Sequence, residues 1–190
     1  MKTIKLIFTL TLFSFLTSNA QITKGNWMVG GNGSYSNKES YTNNFNSSKL
    51  KTTEIDVKAN IGYLFVNNLQ AGIILNYLKY NLKNDDSGAS NKHWLKYGVY
   101  SRYYFLKNEK TINFFLDGSY SLGNRIYYNG DYKDKSSGYS FSAGPTVFFN
   151  SSVAMEMAVN YSSTKFKGVN DFIENDLRFT IGFQIFLEKN

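Results

Sequence analysis

Two carboxylates two positions apart, Glu54 and Asp56, and a single histidine, His93, are the groups whose types and spacing most invite a catalytic reading. A carboxylate pair can divide acid and base roles, but such work needs a partner positioned on another element, and the sequence supplies none for this pair. His93 lacks a matched nucleophile: the His-x-Ser spacing is absent because residue 95 is Leu. One His without any Cys is a poor metal set. Gly30-Gly31-Asn32-Gly33 lacks the GxGxxG spacing of a phosphate loop, and no helical pattern follows it. The expectation is therefore no catalytic residue, no cofactor and no metal. What remains is a set of nine scattered charges, Glu54, Asp56, Lys58, Lys96, Arg102, Asp117, Glu156, Asp176 and Arg178, five acidic and four basic. Their role depends on the elements that carry them.

Those elements are strands of period two. Ile55, Val57, Ala59, Ile61, Tyr63 and Phe65 alternate with Glu54, Asp56, Lys58, Asn60 and Gly62. Seven other stretches repeat the pattern, with apolar sets led by Trp27, Leu69, Leu95, Ile112, Tyr139, Val153 and Leu177; the parity of the third, Leu69 to Tyr77, is the least marked. All nine charges share the polar parity. The composition of that parity selects the architecture. A soluble sandwich would carry long Lys and Glu side chains on its wet face. Here the polar parity is mostly Gly, Ser, Thr and Asn, which suits a crowded interior, and the uninterrupted aromatic-rich parity suits lipid. Tyr35, Tyr77, Tyr97, Tyr120, Tyr139 and Tyr161 fall at one end of the apolar faces, and Trp27, Phe65, Phe105 and Phe149 at the other, as two interfacial girdles would. The fold class expected is all-β, an eight-stranded antiparallel up-and-down transmembrane barrel closed by strand eight on strand one.

The N-terminus reads as an export signal. Lys2 and Lys5 precede an apolar stretch from Leu6 to Leu16, and Thr17-Ser18-Asn19-Ala20 offers a cleavage site before Gln21. The domains expected are residues 1–20 as signal peptide and 21–190 as one barrel. No Cys occurs, so neither a disulfide framework nor a lipobox is present. The formal charge of +7 falls to about +5 without the leader, and its scatter argues against nucleic acid as a partner. Short turns are expected around Asn67-Asn68, Asn108-Glu109 and Ser151-Ser152, and long polar loops over residues 37–50, 81–92, 126–136 and 163–175. Pro145, the one proline, cannot donate to a ladder and predicts a bulge or break.

Trp27-Met28-Val29-Gly30-Gly31, Arg102-Tyr103-Tyr104-Phe105, Asp117-Gly118-Ser119-Tyr120, Gly144-Pro145-Thr146-Val147-Phe148-Phe149 and Gly182-Phe183-Gln184-Ile185-Phe186-Leu187, in this order, resemble the small outer-membrane β-barrel family of OmpA/OmpX-like, porin-fold proteins. The resemblance spans residues 21–190. It implies residence in the outer membrane among its lipid and lipopolysaccharide, and delivery by the barrel-insertion machinery. Family barrels usually finish on an aromatic used in that delivery, whereas this chain continues past Phe186 through Leu187, Glu188, Lys189 and Asn190.

On this fold Arg102, Asp117, Glu156, Arg178, Lys58 and Asp56 become an interior polar network. Pairing Phe105 with Ile112 would set Arg102 diagonal to Asp117, within salt-bridge reach. Recognition falls to the loops, where Lys38, Tyr41, Lys49, Tyr127, Tyr128, Tyr132 and Lys133 could bind a glycan or a protein. The function expected is a monomeric envelope protein with a structural or adhesion-like role and no open pore. A lipid A-modifying enzyme and a secreted lipocalin-like barrel are the alternatives.

Overall fold

The computed structural model describes residues 22–42, 48–84, 88–107, 110–127, 133–167 and 171–187. The signal-peptide expectation lies outside them. Eight strands follow in order: β1 (Trp27–Thr42), β2 (Ser48–Val66), β3 (Leu69–Asn84), β4 (Gly88–Tyr104), β5 (Ile112–Tyr127), β6 (Lys133–Phe148), β7 (Val153–Lys167) and β8 (Phe172–Leu187). Each pairs antiparallel with its sequence neighbours, and β8 returns to β1 to close a barrel. The protein is an eight-stranded up-and-down transmembrane barrel. Closure follows from the solvent: an open edge in hydrocarbon would leave a row of unpaired backbone donors and acceptors.

Alternation decides which side of the wall each residue faces. Ile73 is 62% exposed while its neighbour Ile74 is buried, so β3 turns its odd-numbered residues outward. Val99, Phe141, Phe179 and Ile181 are likewise exposed, and Met28, Leu64, Tyr104 and Phe186 are buried in the lumen. A soluble barrel would reverse this parity. An apolar belt this continuous would face water in one, at a cost proportional to its area.

The connections differ from expectation. The ladders run 15 to 19 residues per strand, longer than the ~9–11 that cross the hydrocarbon. Consequently most of the stretches expected as long polar loops are strand: Tyr41 pairs with Lys49, Asn84 with Gly88, Ile126 with Lys133 and Phe166 with Phe172. Above the apolar belt both faces of the wall meet polar surroundings, so alternation vanishes from the sequence while backbone pairing continues. At the opposite end, where the described chain begins and ends, the connections are the Asn67-Asn68 pair, residues 105–111 and residues 149–152. Asn68 adopts a φ of 69°, which Asn tolerates, and makes that two-residue reversal possible. Pro145 produces no bulge, and its effect is confined to a short interruption of one ladder. β6 runs through it, and only the β6–β7 ladder skips Gly144 and Pro145 without changing register.

Closure is uneven. β1 and β8 pair only from Trp27↔Leu187 to Gly33↔Ile181, while β1 and β2 pair along the whole of β1. Above Gly33 the two closing strands keep only their outer neighbours, which leaves Leu177 and Phe179 among the most exposed side chains of the wall. Placing a charge in the belt tests the orientation of the wall: Val99→Arg, midway along the outward face of β4, should destabilise the barrel by about 2–4 kcal/mol in lipid vesicles, read from urea unfolding transitions.

Candidate functional site in the barrel lumen

The lumen is built in layers, each set by inward parity at one height. The floor, at the end holding the termini, is apolar: Ile22, Met28, Leu64, Phe148, Ala154 and Phe186 form one buried cluster with Tyr104 and Phe115. Ile22 precedes β1 and folds under the mouth, where its carbonyl accepts from the Asn68 amide at 3.2 Å and Gly25 donates to Leu64 at 2.8 Å. Gly25, at φ 98°, turns the chain from that cork into the wall.

Above the floor lies the charged layer. The Arg102 guanidinium donates to Asp117 at 2.6 Å and to both oxygens of Glu156 at 2.8 Å, with Phe115 4.2 Å beneath its plane. Glu156 also accepts from Thr146 at 3.2 Å, from Tyr104 at 3.4 Å and from Gln184 at 2.8 Å. Asn60 donates to Gln184 and to Tyr100, and Gln70 donates to Tyr100 at 2.5 Å. Side chains of β2 to β8 thus form one network, and Tyr104 extends it to the Met28 sulfur of β1. Two glycines make room for it. A Cβ on Gly62 would sit 2.1 Å from the Gln70 amide, and one on Gly30 would sit 1.9 Å from the Gln184 oxygen. Arg102, Asp117, Glu156, Gln70 and Gln184 are all buried, so side chains fill this layer.

Arg102 lies directly across from Asp117, two residues from the register expected of the β4–β5 hairpin. The reason is Asn113. Its side chain accepts from the Leu106 amide at 2.9 Å and donates to the Leu106 carbonyl at 3.0 Å, capping a wider turn and pairing Phe105 with Phe114.

Next comes a polar chamber of about 70 Å³, several times the space one water needs. Ser119, Ser140, Asn160 and Ser162 line one side, and Asp56, Lys58, Asn76 and Lys96 the other. Lys96 donates to Thr164 at 3.0 Å. Lys58 lines the chamber and makes no ion pair or hydrogen bond among the described residues. Arg178 of β8 closes the seam side. Its guanidinium lies 2.7 Å from Glu54 and 2.7 Å from Asp56, both on β2, and also holds Asp176. The Glu54 contact is an ion pair without hydrogen-bond alignment. Asp56 in turn accepts from Asn76. Glu54 and Asp56 therefore do have a partner on a second strand, reached across β1 at the height where the β1–β8 ladder has ended. An ion cluster spans the part of the seam that the backbone leaves open.

The uppermost layer was not foreseen. Arg125 of β5 lies flat between Trp94 and Phe166, 4.2 and 4.0 Å from their ring centroids, and pairs with Glu174 at 3.2 Å. Leu78 and Tyr80 complete the cluster. Burial first, and then the Glu54 carboxylate, push the Tyr80 phenol above its usual range; Tyr80 lies three residues beyond the Tyr77 girdle position. Arg125 and Glu174 obey the same inward parity as Asp117 and Arg178. Glu174 falls within the stretch expected as a loop, 163–175, and Arg125 is the last residue before the loop expected over 126–136, so neither is among the nine inward charges read from the sequence.

Of the expected recognition residues, Lys38, Tyr41 and Lys49 lie on the β1–β2 hairpin, and Tyr127 and Lys133 on the β5–β6 hairpin. These hairpins stand on opposite sides of an eight-stranded wall, so no single patch gathers them. Tyr128 and Tyr132 lie outside the described residues. His93 sits on the outward face above the belt, stacked on Tyr77 with its Nδ1 2.7 Å from the Tyr77 hydroxyl.

The sequence matches no protein-family model and no curated protein. The fold matches solved structures. Neisserial surface protein A (NspA) superposes with a TM-score of 0.56 at 17% identity, covering 85% of this chain and 99% of that one. The outer membrane protein OprG from Pseudomonas aeruginosa superposes with a TM-score of 0.56 at 13% identity, covering 90% of this chain and all of that one. At such identities the likeness is one of fold.

Removing Arg102 leaves two buried carboxylates without their cation. Arg102→Met should cost about 3–5 kcal/mol, and adding Asp117→Leu and Glu156→Leu should recover most of that loss in the same urea assay. The seam responds to a different residue. Arg178→Met should broaden the distance distribution between spin labels at Asn37 and Asn175, measured by electron–electron double resonance, while labels across the fully laddered β1–β2 pair keep theirs.

Proposed function

We propose that the protein is an integral outer-membrane barrel, exported through a cleaved signal peptide, that works as a monomer without a pore, cofactor or enzymatic activity. It serves envelope structure or surface binding, and contact with glycan or protein falls to the four hairpin ends. The observation that carries this reading is the combination of a continuous outward apolar belt with a lumen shut by the Arg102 layer. Such a wall is stable only in lipid, and such a core passes no water column.

Orientation follows from connection type. In up-and-down barrels of this kind short turns face the periplasm and the longer hairpins face outward. On that reading both termini and the Ile22 cork are periplasmic, and the Arg125 layer faces the exterior. The shared fold with a surface protein and an outer membrane protein supports this placement. His93 is engaged by Tyr77 rather than by a nucleophile, which favours a non-enzymatic role over lipid A modification.

The decisive experiment combines three readouts on one preparation. The protein should stay with membranes through alkaline extraction, migrate faster on gels before boiling than after, and give no unitary conductance steps in planar bilayers. Release by alkali would return the case to a soluble barrel, and stepwise conductance would contradict the closed lumen.

A further inference from the structure

Two lysines stand directly opposite each other on the outer wall. Lys135 of β6 pairs with Lys167 of β7, and Lys165 lies two residues below Lys167 on the same outward face. All three are exposed, and none has an ion pair or hydrogen bond among the described residues. Like charges directly across a ladder destabilise it. Nothing on the neighbouring described strands offsets them: Asn124 of β5 faces Lys135, and Ile173 of β8 faces Lys165. The buried Asp134 points into the barrel. Asp171, exposed at the position that continues the β7–β8 register opposite Lys167, makes no ion pair with any of the three.

Their height identifies the counter-ion. Lys135 and Lys165 each lie four residues beyond a girdle tyrosine, Tyr139 and Tyr161 respectively. At ~3.3 Å per residue and a ~45° tilt, that is about 9 Å further out, and lysine stems reach back toward the interface. The headgroup layer on each side of the hydrocarbon is roughly 5–8 Å deep. Lys135 and Lys165 therefore meet the depth of lipid phosphates, and Lys167, six residues beyond Tyr161, lies about 5 Å further out and reaches down with its stem. Three positive charges on one small triangle match a phosphomonoester, which carries nearly two negative charges, better than the single charge of a phospholipid diester. Below the triangle, exposed Phe141 and Val159 offer acyl chains a surface.

We propose that Lys135, Lys165 and Lys167 form a binding site for the phosphomonoester of an outer-leaflet glycolipid, lipid A. The inference rests on the outer-membrane orientation above. The full-length mature protein is refolded in non-ionic detergent, mixed with phosphorylated lipid A, dephosphorylated lipid A or phosphatidylglycerol, and assayed for retained lipid by native mass spectrometry. Wild type should retain phosphorylated lipid A. A variant carrying Lys135→Gln, Lys165→Gln and Lys167→Gln should bind it about a hundredfold more weakly, at about fivefold per lysine, while Lys24→Gln at the other end leaves retention unchanged. Equal retention by the triple variant, equal retention of dephosphorylated lipid A, or equal retention of phosphatidylglycerol would each overturn the site. A heat-dependent gel shift recorded on the same samples separates the two levels of failure. If wild type shows none, the membrane reading falls and the site with it; if the shift is present and selectivity absent, only the site falls.

Discussion

Hydrocarbon offers a polypeptide no hydrogen bonds, and every feature of this barrel follows from that. The wall must pair its own backbone and close, and closure with eight strands fixes an interior about wide enough for side chains to fill. Filling is then compulsory. Arg102 with Asp117 and Glu156 occupies one height, Arg178 with Glu54 and Asp56 the next, and Arg125 between Trp94 and Phe166 the last. Each guanidinium brings several donors and a flat face, so one residue satisfies carboxylates at its edge and rings on its plane.

The seam shows what happens where backbone closure stops. β8 pairs with β1 over seven residues only, and above them Arg178 reaches past β1 to β2. Small polar residues on β1, Ser34 and Ser36, leave that crossing clear. Side-chain ion pairs substitute for a ladder in a region that the Tyr35 girdle position places at the interface, where water can satisfy the freed backbone groups.

Parity was legible in the sequence wherever one side of the wall meets lipid. The outward sets on all eight strands, the two aromatic girdles and the inward direction of Arg102, Asp117, Glu156, Lys58, Asp56 and Arg178 could be read from alternation alone. Three features were not. The strand ends beyond the belt carry polar residues on both faces, so nothing in their pattern separates ladder from loop, and Arg125 and Glu174 were lost with them. The β4–β5 register depends on Asn113 capping Leu106, a contact between a side chain and a turn that periodicity does not encode. The Glu54–Arg178 pair joins strands six apart in sequence that closure brings within reach of each other across β1.

Why the lumen keeps charges at all is a separate question, because a buried ion pair seldom outperforms an apolar core of equal volume. In a membrane wall the two faces are told apart only by composition, and a slip of one residue exchanges them. An all-apolar lumen would make the slipped barrel nearly as good as the correct one. With Arg102, Glu156 and Arg178 on the inner parity, a slipped β4, β7 or β8 would carry a charge into hydrocarbon, at about 2–4 kcal/mol for each basic residue near the midplane. The interior ions thus act chiefly against the wrong registers, and the network that satisfies them in the right one also fills the lumen.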